Sequence, residues 1–553
     1  MRPSDLPPPW SPSEAVAAPR ESDPIEVGVL IVGAGPAGLA AAIRLAQLTA
    51  DEPELATRLG DVPVAVLEQG KTPGAHLLSG AVIDPGPLSR LLGDVEFPSY
   101  GEVRSESVLY LTSDRAWRLP TPPTMRNRGK KIVSLAKLGR FLAERAEELG
   151  ATIIPETVGQ QLLVENGVVV GVRTGDRGRG RDGAELRRFE AGGEIRARVT
   201  ILAEGTQGHL TLTALEAFDL AGPNPQTWAL GVKEVWRVAA PLDRVIHTMG
   251  WPLRPESRFR EFGGAFIYPL GNDMVTVGMV VGLDYRDAGV SVHDLLQQLK
   301  THPSIRPIFA GGERIAWGAK TIPEGGFAAL PKAFHAPGLL LCGDGVGLVN
   351  VPALKGVHYA VESGRLAAEA AWAATTTGEV ARLADYDASL RTSFLWRDLR
   401  RVRNVRQGFA RGFRRGVITA GVATLTRGLL PPGTSPTDAD ASHEIFTTTR
   451  AASYPAPDGL LTFDKLSSVF LSGNRTRDDQ PNHIRLATRV PLELGTLWAR
   501  MCPSHVYELQ PADDGLVTVD IVASNCVQCG AITAKGGRLT PPEGDSGPEY
   551  TIT

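Results

Sequence analysis

Residues 27–32, VGVLIV, run directly into GAGPAGLAAAIRLAQL. A short, wholly apolar run suits a strand buried on both faces of a parallel sheet. Gly33, Gly35 and Gly38 then stand in G-x-G-x-x-G register, and the Ala- and Leu-rich stretch behind them reads as a helix. A second strand, VPVAVLEQG, ends in Glu68. Strand, glycine turn, helix, strand and acid together predict a Rossmann-like α/β unit that binds a dinucleotide. Gly33 permits the tight turn, Gly35 admits a pyrophosphate to the backbone, and Gly38 lets the helix sit close on the sheet. The helix N-terminus offers free N–H groups and partial positive charge to the phosphates. Glu68 is placed to accept hydrogen bonds from ribose hydroxyls.

Two later segments return to the same pattern. VTILAEGTQG (199–208) is strand-like and turns at Gly205, and GLLLCGDGVGLVNVPALKGVHYAVESGRLAAEAAW (338–372) is strand, glycine-rich turn and long helix. Asp344 stands where an acid can hold a ribitol hydroxyl. Gly343, Gly345 and Gly347 belong to the turn whose N–H groups would reach a flavin's pyrimidine edge. Glycine turns recurring at the ends of distant strands favour FAD over NAD. The FAD domain is therefore expected to be discontinuous, over 25–208 and 336–393. Residues 209–335 alternate apolar and β-branched types, which predicts an antiparallel sheet. Residues 1–24 read as a flexible tail. Residues 394–430 hold nine Arg and one acid among Phe, Trp, Leu, Val and Ile, a basic amphipathic segment suited to an anionic membrane surface. A Pro/Thr/Ser/Asp-rich connector and a small cysteine-bearing module complete 431–553.

Bulk properties narrow the class. The chain has 553 residues and a net charge of −3, so it suits several globular domains and not a nucleic-acid coat. Four cysteines do not make a disulfide scaffold in so long a chain, which points to a reducing compartment. The first residues lack an apolar signal core, and no run of about 18 apolar residues occurs.

The order of GAHLLSGAVIDP (74–85), HTMGWPL (247–253), FGGAFIYP (262–269), HPSIRPIFAGGERIAWGAKTIPEGGF (302–327), NVPALKG (350–356), DQPNHIRL (479–486), CPSHVYE (502–508) and NCVQC (525–529) resembles the electron transfer flavoprotein–ubiquinone oxidoreductase family from about residue 25 onward. The resemblance implies an FAD domain, an interleaved quinone-binding domain and a C-terminal ferredoxin-like module with a [4Fe–4S] cluster. It implies electrons arriving from reduced electron transfer flavoprotein and leaving on a membrane quinone, ubiquinone or menaquinone. It also implies a quinone site beside Phe262, Gly263 and Gly264. Monotopic membrane contact would come through 119–129 and the basic segment. The N-terminus lacks the Arg-rich, acid-poor character of a transit peptide. That favours the cytoplasmic face of a bacterial inner membrane over the mitochondrial inner membrane. Asn350 and Lys355 are candidates for contacts with the flavin edge, and Tyr268 and His358 for the quinone pocket or proton relay.

One ligand of the implied cluster is missing. Cys502, Cys526 and Cys529 match three of the family's four cysteines, and the fourth falls on Ile532. Four readings follow: a [3Fe–4S] cluster, a [4Fe–4S] cluster with His505 as fourth ligand, zinc on three Cys and His505, or no metal. Two rival functions also stand beside the electron relay. One is a flavin reductase or monooxygenase fed by NAD(P)H. The other is a degenerate member that binds FAD without turnover.

Overall fold

Five strands lie parallel in the order Thr152–Ile154, Val64–Leu67, Ile25–Val32, Glu194–Leu202 and Leu339–Leu341. The central strand is buried from Val27 onward, as its unbroken apolar run requires. Helices Pro36–Asp51 and Val357–Thr377 pack on this sheet and on each other. Antiparallel strands Gly159–Glu165 and Val168–Thr174 extend it beyond Glu194–Leu202. The computed structural model describes residues 1–553 except 22, 272 and 411.

A second, seven-stranded sheet stands beside the first. Its order is Glu313–Pro323, Trp228–Arg237, Met274–Gly282, Gly263–Pro269, Val245–Gly250, Glu106–Leu111 and Ala116–Leu119. The antiparallel character expected of 209–335 holds for the first five strands. The last two come from residues assigned by sequence to the FAD domain. Glu106–Leu111 joins Val245–Gly250 in parallel, a pairing between distant segments that no local pattern announces.

The C-terminal module has a three-stranded sheet of Arg489–Pro491, Leu516–Ile521 and Tyr507–Pro511 with helix Leu492–Met501 against it. Its core is continuous with that of the second sheet. Trp228, Leu230 and Trp317 share one buried apolar body with Leu494, Trp498 and Cys502.

The expectation of a flexible tail at 1–24 is corrected by the structure. Val16–Ala17 adds a short parallel strand beside Gly159–Glu165. Met1 carbonyl accepts from Ile445 N at 3.0 Å, and the Arg538 guanidinium sits 4.1 Å from the Trp10 ring centroid. The polar composition that suggested disorder overlooks these anchors, which come from residues hundreds of positions away.

The basic segment folds as helices Phe394–Arg401, Val405–Phe409 and Phe413–Leu425. Not all of its arginines face outward. Arg406 is buried and pairs with Asp284 and Glu324, each at 2.9 Å. Arg403 donates to the carbonyls of Gly433 and Pro431. Among the described residues no helix is long and apolar enough to cross a membrane.

Candidate functional site

A cavity of about 360 Å³ lies between the two sheets. Gly33, Gly35 and Glu68 line one end, and Gly205, Gly343, Asp344 and Lys355 line it farther along. The glycine turn works as its pattern suggests. A Cβ on Gly33 would lie 2.6 Å from Ala203 O, and one on Gly38 would lie 2.0 Å from Gly33 O. Strand and helix meet too closely there for any side chain. Gly35 differs, because a Cβ there would meet no protein atom nearer than 3.8 Å. The protein leaves that space open in front of the N-terminus of helix Pro36–Asp51, where a pyrophosphate would sit.

The carboxylates fit the rest of a dinucleotide. Glu68 accepts from Ala34 N at 3.0 Å and Gly70 N at 2.7 Å. Burial raises its pKa, and these two hydrogen bonds work against the rise. Asp344 is half-buried, and its Oδ1, itself out of contact with solvent, has no partner. Burial pushes its carboxyl up to about 6. An orphaned acceptor facing a cavity is costly unless a ligand supplies the donor. A ribityl hydroxyl meets that need, so the residues present fit FAD.

The remaining sequence candidates divide. Lys355 lines the cavity, donates to the carbonyls of Ala353 and Leu354, and is pushed down to about 7 by burial. Tyr268 also lines the cavity, and its hydroxyl lies 2.8 Å from His247 Nε2. Burial raises the Tyr268 hydroxyl, and it lowers His247 to about 3. Both are therefore neutral at ordinary pH. Asn350 is occupied locally, its side chain accepting from Ala353 N and donating to Tyr359. His358 is stacked against Tyr359 and Phe394 and lies outside the cavity lining. Gly345 and Gly347 shape the turn behind Asp344 without lining the cavity.

Gly263 and Gly264 also lie outside that lining. Their missing side chains allow close strand contact, since Cβ atoms there would sit 2.0 Å from Val280 O and 2.3 Å from Thr248 O. Phe262, just before them, begins an aromatic chain to the basic segment. Ring centroids lie 5.1 Å apart for Phe262 and Phe409, and 6.0 Å for Phe409 and Phe413.

Two cavity residues, Lys233 and Lys320, and one residue behind the lining, His247, escaped the sequence reading. Lys233 is a buried lysine in strand Trp228–Arg237, donating to Ser79 O at 2.5 Å and pushed down to about 7 by burial. His247 stands behind Tyr268. Lys320 lines the cavity and donates to Gln528 O at 3.0 Å. The available signal was a charged or imidazole residue interrupting a β-type run, as in ALGVKEVW.

The cysteine site adjoins this cavity. Gln528 and Gly530, on either side of Cys529, line its wall, and Thr321 N donates to Cys529 O at 2.8 Å. All four cysteines are free. Burial raises the Cys526 thiol and pushes the Cys529 thiol up to about 12, and the neighbouring cysteines add to both rises. Metal-free, the Cys526 and Cys529 thiols stay neutral. His505 is corrected as a ligand candidate. Its side chain is 45% exposed and lies 3.6 Å from Glu508, and its backbone is in the left-handed region. A single zinc ion is disfavoured, whereas a cluster, whose thiolates bind separate irons, does not need its ligands to meet at one point. Among the described residues no three His, Cys, Asp or Glu side chains converge on one ion. A [4Fe–4S] cluster held by four protein thiolates does not fit the residues present. Cys342 is a separate buried residue 3.6 Å from Leu202 O.

Two family models match the chain. One is described as ETF-QO, ubiquinone-binding, over residues 228–322. The other is described as electron transfer flavoprotein-ubiquinone oxidoreductase, 4Fe-4S, over residues 459–551. The chain is 37% identical over 561 residues to the electron transfer flavoprotein-ubiquinone oxidoreductase of Pseudomonas aeruginosa, covering 96% of this chain and 99% of that protein. The chain belongs to the electron transfer flavoprotein–ubiquinone oxidoreductase family. Mitochondrial family members from rice and human are each 37% identical over 95% of this chain and cover 92% and 89% of their own lengths. Among solved structures, a geranylgeranyl bacteriochlorophyll reductase-like protein from Thermoplasma acidophilum matches with a TM-score of 0.55 at 18% identity, over 75% of this chain and 94% of that one. That likeness shows the fold alone. The two family models cover five of the seven strands of the second sheet and most of the C-terminal module, the two parts that meet at the cavity wall.

Proposed function

We propose that this oxidoreductase takes electrons from reduced electron transfer flavoprotein and delivers them to a membrane quinone through a flavin and a thiolate-bound iron–sulfur centre. One observation carries the reading: the residues flanking Cys529 form part of the cavity that fits FAD. FAD held there supplies the exchange between one-electron and two-electron chemistry. Gly33 and Gly35 admit the pyrophosphate to the helix N-terminus. Glu68 and Asp344 accept from the sugar hydroxyls. Lys233 and Lys355 place nitrogen donors along the flavin cavity. Tyr268, with neutral His247 behind it, can hold and replace a proton at the Tyr268 hydroxyl while remaining shielded from water.

The quinone is assigned to the Phe262–Gly264 end, reached past Phe409 and Phe413. The outer helix there presents an apolar face. Ile418 is 66% exposed and Leu425 is 86% exposed, with Val417, Leu429 and Leu430 also bare. Arg415 and Arg427 are exposed on the same segment. An apolar face flanked by arginines suits shallow insertion into an anionic leaflet. We assign it to the cytoplasmic face of a bacterial inner membrane.

The test uses purified full-length protein. Electron transfer flavoprotein should drive reduction of a short-chain quinone, and NADH or NADPH should not. Quinone reduction by NADPH alone would favour the reductase reading. The holoprotein should also float with anionic vesicles and remain in solution with neutral ones.

A further inference from the structure

We infer that the C-terminal module holds a three-iron, four-sulfide centre on Cys502, Cys526 and Cys529, with Ile532 closing the corner where a fourth iron would stand. The inference rests on the reading that this module carries a redox centre beside the flavin.

Four observations lead to it. Cys502, Cys526 and Ile532 belong to one buried core, and Cys529 packs against that core. Ile532 is 4% exposed, so its side chain occupies this interior and not the surface. The chain also makes room for it. A Cβ on Gly537 would lie 2.6 Å from Ile532 Cγ1 and 3.2 Å from Cδ1, so only glycine opposes the branched side chain comfortably. Finally, no free replacement donor is at hand. His505 is 45% exposed beside Glu508, and the Ser504 hydroxyl is taken up by Cys502, its Oγ 3.5 Å from Cys502 Sγ.

These facts separate two three-thiolate centres. A [4Fe–4S] cluster with water on its fourth iron needs space and polar partners at the open corner. Ile532 offers methyl groups, and burying a polar ligand against them is unfavourable. A [3Fe–4S] centre has no iron there and asks only for an apolar cover. Its sulfurs and thiolates are served by nearby donors and charge. Gln528 N lies 3.4 Å from Cys526 Sγ, and Lys320 Nζ is held at Gln528 O. In operation one electron enters from reduced electron transfer flavoprotein and one leaves toward the flavin cavity. The donor is oxidised by one electron, and no bond forms or breaks.

The experiment is metal analysis and low-temperature electron paramagnetic resonance on holoprotein purified without oxygen, with Ile532→Cys alongside. Wild type should contain three irons and four sulfides per FAD. It should be paramagnetic with half-integer spin when oxidised and lose that signal on dithionite reduction. Ile532→Cys should gain a fourth iron, fall silent when oxidised and become paramagnetic when reduced. Four irons per FAD in wild type, or a signal only after reduction, overturns the inference. So does an iron-free protein after anaerobic supply of ferrous iron and sulfide. The wild-type measurement decides even if the variant fails to fold. Quinone reduction measured on the same batch keeps the two readings apart. Four irons with full activity sinks only this inference, and three irons without activity sinks the relay.

Discussion

Asp344→Asn should move apoprotein stability and flavin affinity in opposite directions. In the apoprotein the carboxyl is buried, its Oδ1 has no partner, and its pKa is raised to about 6. A raised carboxyl pKa favours the neutral form in the fold. Stability from this group is therefore fully present below the unfolded value near 3.8 and is lost as pH rises through about 6. The gap corresponds to a cost of about 3 kcal/mol above that window. Asn removes the charge at nearly constant shape. Apo Asp344→Asn should thus be about 2–3 kcal/mol more stable than wild type at pH 8 and close to it at pH 4. Bound FAD reverses the balance, because a hydroxyl donating to a carboxylate is worth about 1.5–3 kcal/mol and to a neutral amide about 1 kcal/mol. FAD should therefore bind about tenfold more weakly. Denaturant unfolding of stripped protein at both pH values checks the first half, and flavin fluorescence titration checks the second. An unchanged FAD affinity, or a variant apoprotein with the wild-type pH dependence, would refute the placement of Asp344.

Other expectations follow from single side chains. Gly35→Val should abolish FAD retention while apoprotein stability changes by less than about 1 kcal/mol, because the open space there belongs to the ligand; absorbance and chemical denaturation measure both. Tyr268→Phe should slow quinone reduction by about 10–100-fold with flavin content unchanged, and His247→Gln should give a smaller loss, measured as kcat with a soluble quinone. Because His247 is held near 3, that loss should be constant between pH 6 and 9. Ile418→Asp with Leu425→Asp should remove vesicle flotation and leave turnover with a soluble quinone within about twofold.

The flavin half of the site was legible because its chemistry is local. Gly33, Gly35, Gly38 and Glu68 lie within one strand–turn–helix–strand unit, where spacing alone states the geometry. Asp344 and Lys355 were legible for the same reason. The second sheet was only partly so. Strand Glu106–Leu111 joins it through pairing with residues more than a hundred positions away, which alternation in one segment cannot reveal, and Ala116–Leu119 follows as its local antiparallel partner. Lys233, Lys320 and His247 were missed because their meaning depends on what faces them across the cavity. Gly263 and Gly264 read as a site motif, and the structure adds that close strand contact leaves no room for side chains there. The tail failed through composition, since Pro and Ser suggest disorder unless Trp10 finds an arginine to rest on. At the thiol site the sequence left His505 and zinc open, and the structure weakens both by leaving the His505 side chain exposed beside Glu508.

The central claim is that flavin and thiolate-bound centre share a wall and pass electrons toward quinone. Anaerobic stopped-flow mixing of reduced electron transfer flavoprotein with the oxidised holoprotein and excess short-chain quinone tests it most directly. The account predicts that loss of donor absorbance is matched, electron for electron, by quinone reduction through the bound FAD, and that Cys526→Ser slows the transfer without releasing FAD. Equal rates in wild type and Cys526→Ser would contradict it.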